Sequence, residues 1–142
     1  MQRKIKILIR NKIMAGALKP NNVIRIPCTL DSLFRYWLEF LVPFHNLTSR
    51  ETDVATAFLR ERYNLSKVIL DKDLVDRTLM SEESQRKLKQ ECGLTNQHFQ
   101  VIKSKLKNKK FFINDKINPR LVPCIKEDQN SFQLLLVFEY GK

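Results

Sequence analysis

The sequence predicts an α+β fold in which a helical core is followed by a small β hairpin and sheet and preceded by an extended basic arm. Three observations carry that expectation. Between Asp31 and Leu106 apolar residues recur at helical spacing behind residues that cap helices. At the two ends, Ile5-Ile7-Ile9 and Phe132-Leu134-Leu136-Phe138-Tyr140 alternate with a period of two, as strands do. The formal charge of +11 is also concentrated, leaving a nearly neutral body with two basic attachments.

The chain has 142 residues, 43% of them hydrophobic and 29% charged, enough apolar material for one domain with a core and too much for a disordered chain. No stretch reaches the roughly 20 apolar residues of a membrane span. Lys6, Arg10 and Lys12 interrupt the leading apolar residues, which excludes a secretory leader and predicts synthesis in a cytoplasm. Cys28, Cys92 and Cys124 are odd in number and far apart, the wrong pattern for a disulfide framework or a zinc site; they are expected to be reduced and buried.

Lys4-Ile5-Lys6-Ile7-Leu8-Ile9-Arg10 reads as a strand with Ile5, Ile7 and Ile9 on one side. Met14 to Asn22, with Gly16 and Pro20, reads as a linker, and Val23 to Ile26 as a short strand before Pro27. The expected division is therefore an arm and linker over residues 1–22 and one domain over residues 23–142.

From Asp31 the period becomes helical. Leu33, Phe34, Trp37, Leu38 and Leu41 line one face of a helix capped by Asp31 and ended before Pro43. Phe34, Trp37, Phe40 and Phe44 are core or interface residues on that spacing and need no ligand to explain them. Thr48-Ser49-Arg50-Glu51 is a capping box, followed by an apolar stripe of Val54, Ala57, Phe58 and Leu59. Asp71 caps a third helix through Leu74, Val75 and Leu79. Ser81 caps a fourth that runs to Cys92, with Gly93 just beyond its end, and Thr95 caps a fifth with Phe99, Ile102 and Leu106 facing inward. Phe111 to Ile117, with an Asn114-Asp115 turn, reads as a hairpin closed by Pro119. Phe132 to Tyr140 is apolar on both sides at its centre, the pattern of an interior strand.

Helix, glycine turn, polar-faced helix and hairpin, in that order, are the parts of a winged helix-turn-helix. In such a unit the second helix enters the major groove, amides read base edges and basic residues hold phosphate. The expected readers are Gln97, Gln100 and Lys103, and the expected phosphate or partner contacts are Lys105, Lys107, Lys109 and Lys110. One departure is Lys89, four residues before Gly93, where close helix crossing favours a small residue; a lysine there must snorkel outward. The same unit also serves as a plain core element with a solvated or protein-facing basic surface.

Residues 1–25 hold seven Lys/Arg and no acid, and residues 81–110 hold eight against three acids. The arm contacts expected from this are Arg3, Lys4, Ile5, Lys6, Ile7, Ile9, Arg10 and Lys12. Strand addition to a neighbouring subunit is favoured over an electrostatic tail, which would not need the three isoleucines. His45 and His98 are far apart, with no further ligand at metal spacing, and are read as structural or surface residues. Glu82 and Glu83 complement a helix N-terminus. With no glycine-rich phosphate loop, no nucleophile beside a base and no carboxylate/histidine cluster, the sequence points away from an enzyme, a metal site or a cofactor.

The run Tyr36-Trp37-Leu38-Glu39-Phe40-Leu41-Val42-Pro43-Phe44-His45-Asn46-Leu47-Thr48 carries a resemblance to a known group, together with Arg62 to Ile69, His98 to Ile102 and Ile117 to Arg120. Over residues 23–140 the chain resembles small proteins of crAss-like bacteriophages that infect Bacteroides. The resemblance implies a phage origin and carries no functional residues. The leading expectation is a non-enzymatic virion protein, associated with the head or a connector, that binds neighbouring capsid or portal-proximal subunits and packaged double-stranded DNA. The alternative is a phage-encoded winged-helix transcriptional regulator. Neither involves a membrane or a small-molecule substrate.

Overall fold

The structure, a computed structural model, describes residues 22–141 and the backbone of residues 4–10. The arm positions Arg3 and Lys12, the linker before Asn22, and the side chains of Lys4, Ile5, Lys6, Ile7, Ile9 and Arg10 lie outside the described residues. The chain is α+β and divides into two units, a helical one over Cys28–Val122 and a terminal one built from residues before and after it. The last twenty residues group with the N-terminal strand and not with the helices.

In the terminal unit β1 (Lys4–Arg10) pairs antiparallel with β4 (Gln133–Glu139), with Ile5 opposite Phe138, Ile7 opposite Leu136 and Ile9 opposite Leu134. The N-terminal strand therefore has a partner in its own chain. Among the described residues β4 pairs with β1 alone and is not an interior strand; its Leu136 and Phe138, and Tyr140 just beyond it, are exposed. The alternating residues form a strand as their period predicts, but apolar residues on both sides do not specify how many strands flank it. Val23 to Ile26 form no strand and are exposed.

The helical unit opens with α1 (Leu30–Phe40), whose cap is Thr29 in a reciprocal box with Ser32; the expected cap Asp31 sits in the first turn, where its charge complements the helix N-terminus. Pro43 does not simply end this helix. It lies in the first turn of a short helix α2 (Val42–His45), a position where the missing N–H costs nothing. α3 (Ser49–Val68) starts at the Thr48/Glu51 capping box. It is followed by α4 (Lys72–Leu79), α5 (Glu82–Glu91) and α6 (Asn96–Asn108), each begun by the residue the sequence indicates, Asp71, Ser81 and Thr95. β2 (Phe112–Ile113) and β3 (Lys116–Ile117) form the hairpin, whose two loop residues Asn114 and Asp115 have φ of 54° and 59°, a left-handed pair that matches strand twist. A 3-10 turn, Pro119–Leu121, ends the unit.

α3 packs against α1, α4, α5 and α6. Its side chains from Val54 to Leu59 are all buried, and the hydroxyls of Thr52 and Thr56 avoid the cost of burial by donating to the carbonyls four residues back, at 2.8 and 2.7 Å. Phe58 is fully enclosed. It stacks on Phe99 of α6 with ring centroids 6.0 Å apart and meets Phe112 of β2 edge-on at 5.0 Å, so one side chain fixes both the last helix and the hairpin to α3. On the other side of the unit, buried Trp37 donates its indole N–H to the Leu121 carbonyl at 2.9 Å, closing α1 onto the final turn. Phe34 and Trp37 are core, whereas Phe40 and Phe44 are exposed. Cys28 and Cys124 are exposed and Cys92 half-buried, so the expectation of buried cysteines fails at two of three positions.

Truncating the hub tests this arrangement. Phe58→Ala is expected to destabilise the protein by about 3–5 kcal/mol, read as a lower urea midpoint in the fluorescence of the single tryptophan. Val101→Ala, at an exposed site, should leave that midpoint within about 0.5 kcal/mol.

Candidate nucleic-acid interface

α5 and α6 meet at a tight turn. The Gly93 N–H bonds the Gln90 carbonyl at 3.0 Å and the Leu94 N–H bonds that of Lys89 at 3.1 Å, the paired closure of a Schellman motif, with Gly93 at φ 63°. Lys89 is half-buried at this crossing, as a snorkelling lysine must be. α6 then runs with Phe99, Ile102 and Leu106 in the core. At 100° per residue that stripe directs Gln97, Gln100, Val101, Ser104 and Lys107 away from the core, and all five are exposed.

The same double closure ends α6, with Lys110 N–H on the Lys107 carbonyl at 3.1 Å and Phe111 N–H on that of Leu106 at 2.9 Å. Here the left-handed residue is Lys110, at φ 69°, where a side chain costs roughly 1 kcal/mol. The Asn118 side-chain amide donates to the Lys110 carbonyl at 3.1 Å and holds the turn to the hairpin.

The seven residues indicated by the sequence divide into two groups. Gln97, Gln100, Lys105, Lys107 and Lys110 are exposed, and the three lysines make no ion pair among the described residues. Lys103 and Lys109 are not free. The Lys103 ammonium donates to the Gln85 side chain of α5, and burial pushes its pKa down, so it links the two helices. Lys109 donates to Glu51 Oε1 at 2.6 Å and to the Asn46 carbonyl at 3.0 Å, tying the end of α6 to the start of α3. Lys109, expected among the phosphate or partner contacts, is thus already paired within the chain.

Glu51 also accepts the Thr48 N–H at 3.0 Å. Burial pushes its pKa up, but the Lys109 hydrogen bond, the Thr48 amide and the charges of Lys109 and Lys105 outweigh this and leave it lowered. Nearby, His45 Nδ1 accepts the Leu47 N–H at 2.9 Å, so its Nε2–H faces the Leu38 carbonyl at 2.6 Å. Burial lowers its pKa, the Leu38 contact opposes this and the Lys109 charge adds to it. The neutral imidazole is a structural brace. His98 is exposed on α6.

Elsewhere a cavity of about 410 Å³ opens between α1 and α3, lined by Arg35 and Arg60 with Asp31 and Asp53. Arg35 pairs with Glu39 at 3.0 Å and with Asp53, and Arg60 lies 3.7 Å from Asp31, so the charges there largely cancel. No group of three potential metal ligands occurs among the described residues, and no described helix is long and apolar enough to cross a membrane.

Sequence reasoning missed the roles of Lys103 and Lys109, which depend on contacts 18 and 58 residues away, and it passed over Val101. Val101 follows Gln97 by four residues, and that spacing was the available signal for an outward apolar residue. Comparison with known proteins finds no matching family, no matching curated protein and no matching solved structure.

Two pH windows follow from these groups. Below about pH 6.5 the unfolded chain protonates His45 before the folded chain does, and below about pH 4.5 the same holds for Glu51, so acid should lower stability in both windows. Equilibrium unfolding from pH 8 to 4 should show both slopes, with His45→Gln removing the first. Lys109→Met strands a buried carboxylate and should cost about 1–3 kcal/mol at pH 7, measured by the same denaturation.

Proposed function

We propose that this chain is a non-enzymatic DNA-binding protein of phage origin, whose helical unit is a winged-helix-like module that lays α6 along a duplex. The supporting observation is the outward face of α6. A row of hydrogen-bonding side chains, Gln97, Gln100 and Ser104, is bordered by three unpaired lysines, Lys105, Lys107 and Lys110, while the opposite face is consumed by the core. Neutral polar groups suit base edges and unpaired ammonium groups suit phosphates. A lysine kept at the left-handed position 110, where glycine is less strained, fits selection for the charge itself. The hairpin tip contributes little, since Asn114 and Asp115 offer no positive charge to phosphate. Resemblance to proteins of crAss-like phages supplies the phage setting and makes a regulator of phage transcription the natural role.

A second reading is the virion-associated assembly protein, localised in the particle and held to capsid or portal-proximal neighbours. It draws on the terminal unit. A two-stranded ribbon is marginal in water without further packing, and this one exposes Phe138 and Tyr140 at 62% and 80%. The pairing of β1 with β4 in the same chain weakens the original basis of this reading, a free arm adding to a neighbour's sheet.

Binding to a mixed-sequence duplex, titrated by fluorescence anisotropy from 50 to 300 mM salt, tests the first reading. Replacing Lys105, Lys107 and Lys110 together by Ala should lower the salt slope by about 3. An unchanged slope, or no duplex binding by the wild type at 50 mM, defeats it. Lys110→Gly alone should gain about 0.5–1 kcal/mol of stability while weakening the duplex complex, and a variant that is stabilised yet binds normally would show that Lys110 touches no phosphate.

A further inference from the structure

We infer that α6 reads A·T base pairs, with Val101 lying against a thymine methyl group and Gln97 or Gln100 paired with an adenine. The inference rests on the duplex-binding reading above and extends it from affinity to sequence.

On the outward arc of α6 Val101 is the apolar member, and the other members Gln97, Gln100, Ser104 and Lys107 are polar. Val101 is 47% exposed, and its helix neighbours on that face are Gln97 one turn before, and Ser104 and Lys105 one turn after. About half of it stays in solvent, and a β-branched residue is a poorer helix former than glutamine or lysine around it. Its place and chemistry match the floor of a major groove better than the solvent. Of the groups displayed there, only the thymine C5 methyl is apolar, and the groups best matched to a glutamine amide are adenine N6 and N7. Arginine, which would be bidentate to guanine, is absent from α6, and its one inward-leaning lysine, Lys103, is held by Gln85. The helix thus offers contacts for adenine and thymine on its outward face, with its lysines placed at the border for phosphates.

The occupant is duplex DNA on the strength of charge. Among the described residues Lys105, Lys107 and Lys110 form no ion pair, Lys105 acting on Glu51 only through its charge, and the chain as a whole carries +11.

The test uses the full chain and three 20-base-pair duplexes at one moderate salt concentration. One contains only A·T pairs, the second is identical with every thymine replaced by deoxyuridine, and the third contains only G·C pairs. Loss of one buried methyl should weaken wild-type binding about fourfold on going from thymine to deoxyuridine, and the G·C duplex should bind more weakly than either. In Val101→Ala the thymine and deoxyuridine duplexes should bind alike. Equal wild-type affinity for those two duplexes overturns the inference while leaving duplex binding intact, as does tightest binding to G·C. A deoxyuridine penalty that persists in Val101→Ala overturns the assignment to Val101. Failure to bind any of the three removes the inference together with the reading beneath it.

Discussion

The helical unit depends on the burial of α3. A 20-residue helix whose middle is enclosed on several sides must satisfy every polar group along it, and each neighbouring element is oriented by how it meets that demand. Phe58 fixes α6 and the hairpin through Phe99 and Phe112. Around this apolar centre α3 sets out charges that pair outward in different directions: Glu51 with Lys109 beyond α6, Asp53 with Arg35 of α1, Glu61 with Lys87 of α5 at 2.8 Å, and Arg62 with Asp76 of α4 at 3.1 Å. Exposed pairs of this kind are each worth little, but those of Glu51 and Glu61 hold a buried carboxylate and so penalise any rotation of α5 or of the α6 terminus that would strand it.

That constraint decides what α6 shows to solvent. Phe99, Ile102 and Leu106 must face α3, so the outward arc is fixed at Gln97, Gln100, Val101, Ser104 and Lys107. It also decides what α6 withholds. Lys103 and Lys109 belong to one of the two basic stretches of the chain, yet one braces α5 and the other neutralises Glu51. A cluster of charge in sequence is thereby sorted into lysines held by other side chains and lysines left exposed; Lys109 is offset by the Glu51 carboxylate, whereas Lys103, bonded to a neutral amide, still adds to the field outside the molecule.

Much of the helical unit was legible because its signals are local. Thr48 with Glu51, Asp71, Ser81, Thr95 and Gly93 each act within four residues, and the elements they bound occur where those residues stand. Errors arise where two local signals compete or where the partner is distant. Thr29 with Ser32 closes a reciprocal box that a lone Asp31 cannot, and Pro43 fits a helix start as well as a helix end. The partner of β4 lies more than 120 residues away in sequence, at Lys4–Arg10, and no periodicity in Gln133–Glu139 names it. For the candidate site, exposure of Gln97 and Gln100 followed from helical spacing, while the occupation of Lys103 and Lys109 required tertiary contacts that spacing does not contain.

The turns at the two ends of α6 use the same motif at different conformational cost. Both α5 and α6 finish in the same double hydrogen-bonded closure, which needs one residue in the left-handed region. At the α5 end that residue is Gly93, which adopts the conformation without strain and lets α6 begin close to α5. At the α6 end it is Lys110, which adopts it at a cost. Nothing in the core asks for a lysine there, since Phe111 and Asn118 hold the turn through backbone groups that glycine also possesses. The costlier choice for this turn thus lies exposed beside Lys105 and Lys107, on the same surface as the lysines proposed to hold phosphate.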